Sequence, residues 1–370
     1  MQEMIINAHV AYKANRIFTM YNYTWNKYTR EDYATFGSGV HQATVPARIP
    51  ITALVGGPIA GGPFPAHDWR PPAVTTEFFE EVCPNPTTLN VGELKGDLQW
   101  SSASTILGGV AARLNAIPDN CVELIDETGQ IFDFWCVIFG DGARMADAWP
   151  QLLESPILTE WRWSDLVRSG LERNRRLIHP SIFLNDQRHR GELSGLLALH
   201  IRRGDFHYHC ENLANWRSQY NAFNVRPDFT DKHDPPPGGG NGEHTEETLA
   251  YWNHHCFPEI DEIVTRVEAV RGDAMKQGRT LDRIYILTNG SKEWLADLKR
   301  ALEKAAKWKR IATSRDLELT REQKYVAQAI DQIVATRAEV FIGNAWSSLT
   351  SNVNLLRIAQ FHDPETSRFW

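Results

Sequence analysis

Two adjacent arginines at the end of an apolar run are the first residues with the means to do chemistry. Leu196-Leu-Ala-Leu-His-Ile201 leads into Arg202-Arg203-Gly204-Asp205, followed by Phe206. Nearly continuous apolar residues running into a cationic turn are the pattern of a parallel strand buried on both faces and ending at a polar crevice. Open α/β sheets hold their ligands at such strand ends. A guanidinium offers a planar fork of donors that matches phosphate or carboxylate, so the turn is a candidate anion site. A structural arginine paired with Asp205 is the plainer alternative.

A second stretch has matching chemistry. Phe341-Ile-Gly-Asn-Ala-Trp-Ser347-Ser348-Leu-Thr350 reads as a strand running into hydroxyl-rich residues that open a helix. Free backbone N–H groups and the positive end of the helix dipole favour an anion there, and the hydroxyls add donors. A serine N-cap accounts for the same residues without a ligand. Together, the arginine turn and the helix start could grip one phosphate from two strand ends of the same sheet.

Other clusters compete with these. His207-Tyr-His209-Cys210 and His254-His255-Cys256 carry zinc-ligand residue types, in a spacing that matches no common zinc module. Cys210 and Cys256 also flank a polar insertion, where a disulfide in an oxidising compartment and two buried free thiols are both open. Arg203-Gly204-Asp205 spells an integrin-type tripeptide, poorly displayed at a buried strand end. Asn22-Tyr-Thr24 and Asn289-Gly-Ser291 fit the N-glycosylation pattern.

The elements that must position these residues follow from periodicity. Gln2 to Arg16 has helical amphipathic spacing, and Ile17 to Tyr23 reads as a strand. Ala34 to Pro86 is dense in proline and glycine and reads as irregular loop. Val122 to Ile125 and Ile131 to Ile138 are strand candidates, and Trp149 to Ile178 is mostly helical, with Arg173, Arg175 and Arg176 on a solvated face. Polar residues around Asn185 to Glu192 mark a junction. Beyond it come a strand at Leu196–Ile201, a loop-rich insertion from His207 to about Glu243 with Pro235–Gly240 as a flexible tip, and a helix over Thr245–Arg271. A strand at Arg283–Thr288, a helix capped by Ser291, a strand at Arg310–Thr313, and a helix opened by a Thr320/Gln323 capping box follow. That helix carries Val326, Ala329, Ile330, Ile333 and Val334 on one face, with Asp331 off the stripe. A strand at Val340–Gly343 and a last helix to about Ala359 complete an alternation that indicates a parallel, doubly wound sheet.

The bulk properties bound the answer. The chain has 370 residues, 42% of them hydrophobic, 23% charged, with a net charge of −7. That length favours two domains, divided here as 1–190 and 191–370. The acidic balance and the lack of a basic stripe argue against broad binding to nucleic acid or anionic membranes, so phosphate recognition should be local. Apolar runs are too short to span a bilayer, and no leader-like segment opens the sequence.

Taken in order, His200-Ile-Arg202-Arg203-Gly-Asp205-Phe206, then Asp331, then Phe341 to Thr350 resemble the GDP-fucose protein O-fucosyltransferases, in particular their fungal members. The sixteen positions from Asp331 to Ser347 also resemble that family's spacing. The resemblance covers about 196–350. It implies an α/β fold of the GT-B-like kind, with two Rossmann-like domains, parallel sheets, and the donor held mainly by the second. It implies that His200 and Asp331 contact guanine, that Arg202 grips the β-phosphate and is the catalytic residue, and that Ser347, Ser348 and Thr350 assist. Asp205 then belongs to the donor site as a brace for the arginine turn.

The implied reaction is inverting transfer of fucose from GDP-fucose to a protein serine or threonine, or to a glycan, with no metal cofactor. The absence of an Asp-x-Asp pair agrees with this. The resemblance also implies the lumen of the secretory pathway, and a strand with a glycine-rich loop ahead of the helix that begins at Gln2. In some members that loop carries a glutamate base; Glu3, His207, His209 and Glu211 are the substitute candidates here. The competing function is a GDP-sugar- or glycan-binding protein of the same fold that lacks turnover.

Overall fold

The computed structural model describes residues 1–24, 33–36, 43–63, 70–125, 131–132, 142–182 and 191–370. Most of the expected strand at Ile131–Ile138, nearly all of the expected junction at Asn185–Glu192, and Cys136 lie outside them.

The second half is organised by a five-stranded sheet whose every neighbouring pair is parallel. Its order is Arg310–Thr313, Arg283–Thr288, Leu193–Ile201, Ala338–Gly343, Ser367–Phe369. The chain first builds outward from the central strand to one edge, then returns to build outward on its other side. The order therefore reverses between Leu193–Ile201 and Ala338–Gly343, which is where such sheets open a crevice.

The apolar run of the central strand is explained by its two covers. Leu197, Leu199 and Ile201 pack with Ile284, Ile286 and Ile342 against the helices Ile260–Lys276 and Lys292–Ala305. Leu196 and Ala198 face the other way with Tyr285, Leu287 and Phe341, into a larger core shared with Ala327–Arg337, Ser348–Ala359 and the first half of the chain. A strand covered on both faces has no polar alternation to show. Truncating Leu199, fully buried, to alanine would cost roughly 2–5 kcal/mol.

The first half contributes the helices Gln2–Lys13, Ala103–Asn115 and Asp165–Arg173, and two short parallel strand pairs, Phe18–Met20 with Ala73–Thr75 and Thr87–Asn90 with Val122–Ile125. Asp165–Arg173 joins it to the second half. A Cβ on Gly170 would stand 2.4 Å from Ile330, so the glycine lets this helix lie close on Ala327–Arg337. Nearby, the Asn174 amide donates to the Glu318 carbonyl and accepts from its N–H, at 3.0 and 2.8 Å.

Several expectations need correction. The stretch 34–86 is not all loop, since Thr75 caps a helix at Thr76–Val82. Trp149–Ile178 is mostly helical as expected, but in four short helices interrupted by a strand at Arg162–Trp163. The single helix expected over Thr245–Arg271 is two, Glu246–Cys256 and Ile260–Lys276, because Pro258 interrupts the chain. The capping-box helix likewise breaks at Val326 into Arg321–Tyr325 and Ala327–Arg337.

The insertion begins with a helix, Phe206–Asn215, that buries Phe206, Cys210, Leu213 and Ala214. The supposed flexible tip is tied down: Arg217 donates to the carbonyls of Pro236 and Gly238, and Gly240 pairs with Glu243. Cys210 and Cys256 form a disulfide between two helices, with Cα atoms 5.8 Å apart, and Cys83 pairs with Cys121. The zinc reading fails here because that disulfide consumes both thiols it needed.

The Cys210–Cys256 bond closes a sequence separation of 46 residues, for which the chain-entropy account gives roughly 4 kcal/mol. Replacing both cysteines with serine should lower unfolding stability by about that amount in a denaturant titration. Unchanged stability would contradict a structural role for the bond.

Candidate functional site

The arginine turn is fixed before any ligand arrives. Gly204 takes φ +63°, a left-handed conformation that glycine adopts at low cost. The Asn289 side chain accepts from the Arg203 N–H at 2.8 Å and donates to the Arg203 carbonyl at 2.9 Å and to Asp205 Oδ1 at 3.2 Å. Asn289 is thereby committed as a clamp, which argues against its use as a glycosylation acceptor.

The two arginines separate in role. Arg203 is buried, sandwiched by the Phe257 and Trp294 rings, each 4.3 Å from its guanidinium carbon, and donates to the carbonyls of Phe257 and Pro258. Burial lowers its pKa to about 10, and the group remains a structural cation. Arg202 stacks on Phe206 at 4.6 Å and pairs with Asp205 at 3.1 Å. Its Nε has no partner.

Across the switch point, Ser347 caps the helix Ser348–Ala359, its hydroxyl accepting from the Leu349 N–H at 3.3 Å. The helix start approaches the strand because Gly343 has no side chain; a Cβ there would meet Thr350 Cγ2 at 2.4 Å. Thr350 Oγ1 and His200 Nδ1 share a 2.8 Å hydrogen bond. Burial, aided by the neighbouring positive charge of Arg202, lowers the His200 pKa to about 3, so the imidazole is neutral at physiological pH. Trp370 Nε1 donates to the His200 carbonyl at 2.8 Å and fixes the strand end from behind.

These elements open on one cavity of about 320 Å³ lined by Arg202, Ser347, Ser348, Glu3 and Asn352, among others. Two larger hollows, of about 490 and 580 Å³, lie on the first half around Arg16 and Arg70, away from these strand ends. Of the expected site residues, Arg202, Ser347 and Ser348 line the Arg202 cavity, His200 and Thr350 are locked to each other beside it, and Asp205 sits under Arg202. Of the four base candidates only Glu3 lines it, with its pKa raised by burial. His209 packs on Phe206 at 4.8 Å and His207 against Phe257 at 5.3 Å.

Asp331 stands apart from that lining. Its Oδ1 accepts the Tyr285 hydroxyl at 2.6 Å, and desolvation raises its pKa to about 7 against the opposing effect of bonds from Tyr285 and Ser314. Tyr285 projects from the next strand, on the same face as His200. Asn289, Trp370 and Tyr285 all carried roles that the linear sequence did not signal.

A family sequence model described as GDP-fucose protein O-fucosyltransferase matches residues 168–360, which spans both strand ends. The chain belongs to this family. Membership makes it a fucosyltransferase, and the matched span contains His200, Arg202, Asp205, Asp331, Ser347, Ser348 and Thr350. No curated protein matches the sequence. Among solved structures, POFUT1 in complex with GDP-fucose is 14% identical over 99% of this chain and 93% of its own, with a TM-score of 0.55. A second crystal form of that complex gives 13% identity, full coverage of this chain, 93% of its own, and 0.56. Apo POFUT1 gives 14%, the same two coverages, and 0.55. At these identities the likeness establishes the GT-B-like fold.

The Asp331 carboxyl yields a stability prediction. Its folded pKa of about 7 lies above its ordinary 3.8, so the folded chain holds this proton more tightly than the unfolded chain does. The resulting stabilisation is complete below about pH 4 and is lost as pH rises through 7. Asp331→Asn, which cannot ionise, should gain melting temperature relative to the parent between pH 4 and pH 8. A constant difference across that range would contradict the raised pKa.

Proposed function

We propose that the chain transfers fucose from GDP-fucose to a protein hydroxyl, with inversion and without a metal cofactor. The observation that carries this reading is the convergence of Arg202 with the N-terminus of Ser348–Ala359 at the sheet's switch point. As the sugar–phosphate bond breaks, the sugar becomes oxocarbenium-like and GDP gathers negative charge. Donors fixed in advance toward that charge lower the barrier with little reorganisation. Arg202 provides the positive charge, and Ser347, Ser348 and the helix start provide neutral donors. His200 and Thr350 act by holding the two strand ends together, while Asp331 offers a carboxylate to the guanine N–H groups.

The acceptor hydroxyl needs a group to take its proton. Glu3 lies in the same cavity, and its raised pKa makes its carboxylate a better base than an exposed one. The two disulfides fit an oxidising compartment, and we place the enzyme in the secretory lumen. Among the described residues no helix is long and apolar enough to cross a membrane. The division into an acceptor-side domain, 1–190, and a donor domain, 191–370, belongs to the same reading.

GDP titrated calorimetrically in EDTA, with GMP and ADP as controls, tests the donor site. Selective GDP binding that Arg202→Ala weakens by roughly 2 kcal/mol, the scale of a lost charge-assisted hydrogen bond, is the expected result. Loss of binding in EDTA, or indifference to Arg202→Ala, would overturn the metal-free arginine mechanism.

A further inference from the structure

Asn344 follows the strand Ala338–Gly343, is fully buried, and uses both ends of its side-chain amide. Its Oδ1 accepts the Trp346 N–H at 3.1 Å and its backbone carbonyl accepts the Ser347 N–H at 3.0 Å. These bonds shape the turn that aims the helix start at the Arg202 cavity. Its Nδ2, by contrast, leaves that turn and donates to the Cys256 carbonyl at 2.7 Å.

The two residues after Cys256 receive the other strand end. Arg203 donates to the carbonyls of Phe257 and Pro258, with the Phe257 ring 4.3 Å from its guanidinium carbon. Three successive carbonyls, 256 to 258, thus take donors from both elements that meet at the Arg202 cavity. Their availability has a local cause. The helix Glu246–Cys256 ends here, and a helix end leaves carbonyls without partners and carries the negative end of the dipole. Pro258 keeps the chain from continuing that helix. The Cys210–Cys256 disulfide pins the same end to Phe206–Asn215, the helix that follows the arginine turn.

We infer that Asn344 is a positioning residue for the transfer reaction, and that Cys256–Pro258 is the spacer that fixes how far Arg202 stands from Ser347 and Ser348. This deepens the proposed function and rests on it. The His200–Thr350 bond ties the two strand ends within the sheet, and the spacer ties them a second time from the inserted helices. Asn344 acts on the arginine turn through Cys256–Pro258 and Arg203.

Amide hydrogen exchange without GDP and calorimetric titration of GDP, on the parent, Asn344→Ser, Arg203→Lys and Leu302→Ala, test this role. Serine can still accept the Trp346 N–H, as it does in such turns, but is too short to reach Cys256. Leu302→Ala empties a buried position on Lys292–Ala305 and controls for lost stability alone. Relative to that control, Asn344→Ser should speed exchange at 203, 206 and 207, whose N–H groups are bonded within the arginine turn. Arg203→Lys should speed it at 346, 347 and 349, because coupling between two sites is reciprocal. Each should weaken GDP about tenfold, the double variant about as much as the worse single, and Leu302→Ala by no more than about twofold. Arg203→Lys reads the coupling by itself where Asn344→Ser does not fold. Exchange changes confined to each variant's own strand end, or a folded Asn344→Ser that binds GDP as the parent does, overturn the inference and leave the donor site standing. No GDP binding by the parent overturns the donor-site reading and the positioning role with it.

Discussion

The site depends on a neutral histidine buried between two strand ends. His200 gives its ring nitrogen to Thr350 across the point where the sheet order reverses, and its carbonyl to Trp370 behind. In a low-dielectric setting such a bond is strong, and breaking one side leaves a buried polar group unsatisfied. Gly343 makes the approach sterically possible. The crevice therefore keeps its width without a ligand, and the helix start stays aimed at the position beside Arg202. A protonated imidazole would place a second cation in the same small volume, and burial prevents this at physiological pH.

Around that fixed frame the charges are divided between structure and chemistry. Arg203 is consumed by two aromatic faces and two carbonyls, while Arg202 keeps an exposed pairing with Asp205. The Arg202–Asp205 pair lies at the surface, where such pairs contribute little to stability, so the guanidinium can turn to a phosphate at small cost. Asn289 holds the peptide beneath it. One arginine thus pins the turn and its neighbour is available to the substrate. In the proposed function phosphate recognition is confined to this crevice, which an acidic chain can supply without a basic surface.

Much of the second half was legible because its strands are covered on both faces, and a run such as Leu196–Ile201 has few alternatives. The helix starts at Ser291, Thr320 and Ser347 were legible because their caps are local hydrogen bonds. The helix Phe206–Asn215 was missed although Phe206, Cys210, Leu213 and Ala214 repeat at helical spacing; the intervening histidines and tyrosine obscured it. The unpredicted Cys83–Cys121 bond joins segments whose proximity only the tertiary fold creates. The same holds for Tyr285 under Asp331, Asn289 beneath the arginine turn and Trp370 behind His200. Each acts through a partner 38 or more positions away, and local sequence carries no record of it. Thr350 was expected to assist at the phosphate, whereas the structure engages its hydroxyl with His200.

The proposed function requires GDP to be held jointly by the end of the central strand and the start of the helix after Gly343. Amide hydrogen exchange with and without GDP reads both segments at once. Joint slowing of the amides at 202–206 and 345–351, with little change around Arg16 and Phe78, is the predicted result. Protection confined to the hollows on the first half, or to only one of the two strand ends, would contradict it.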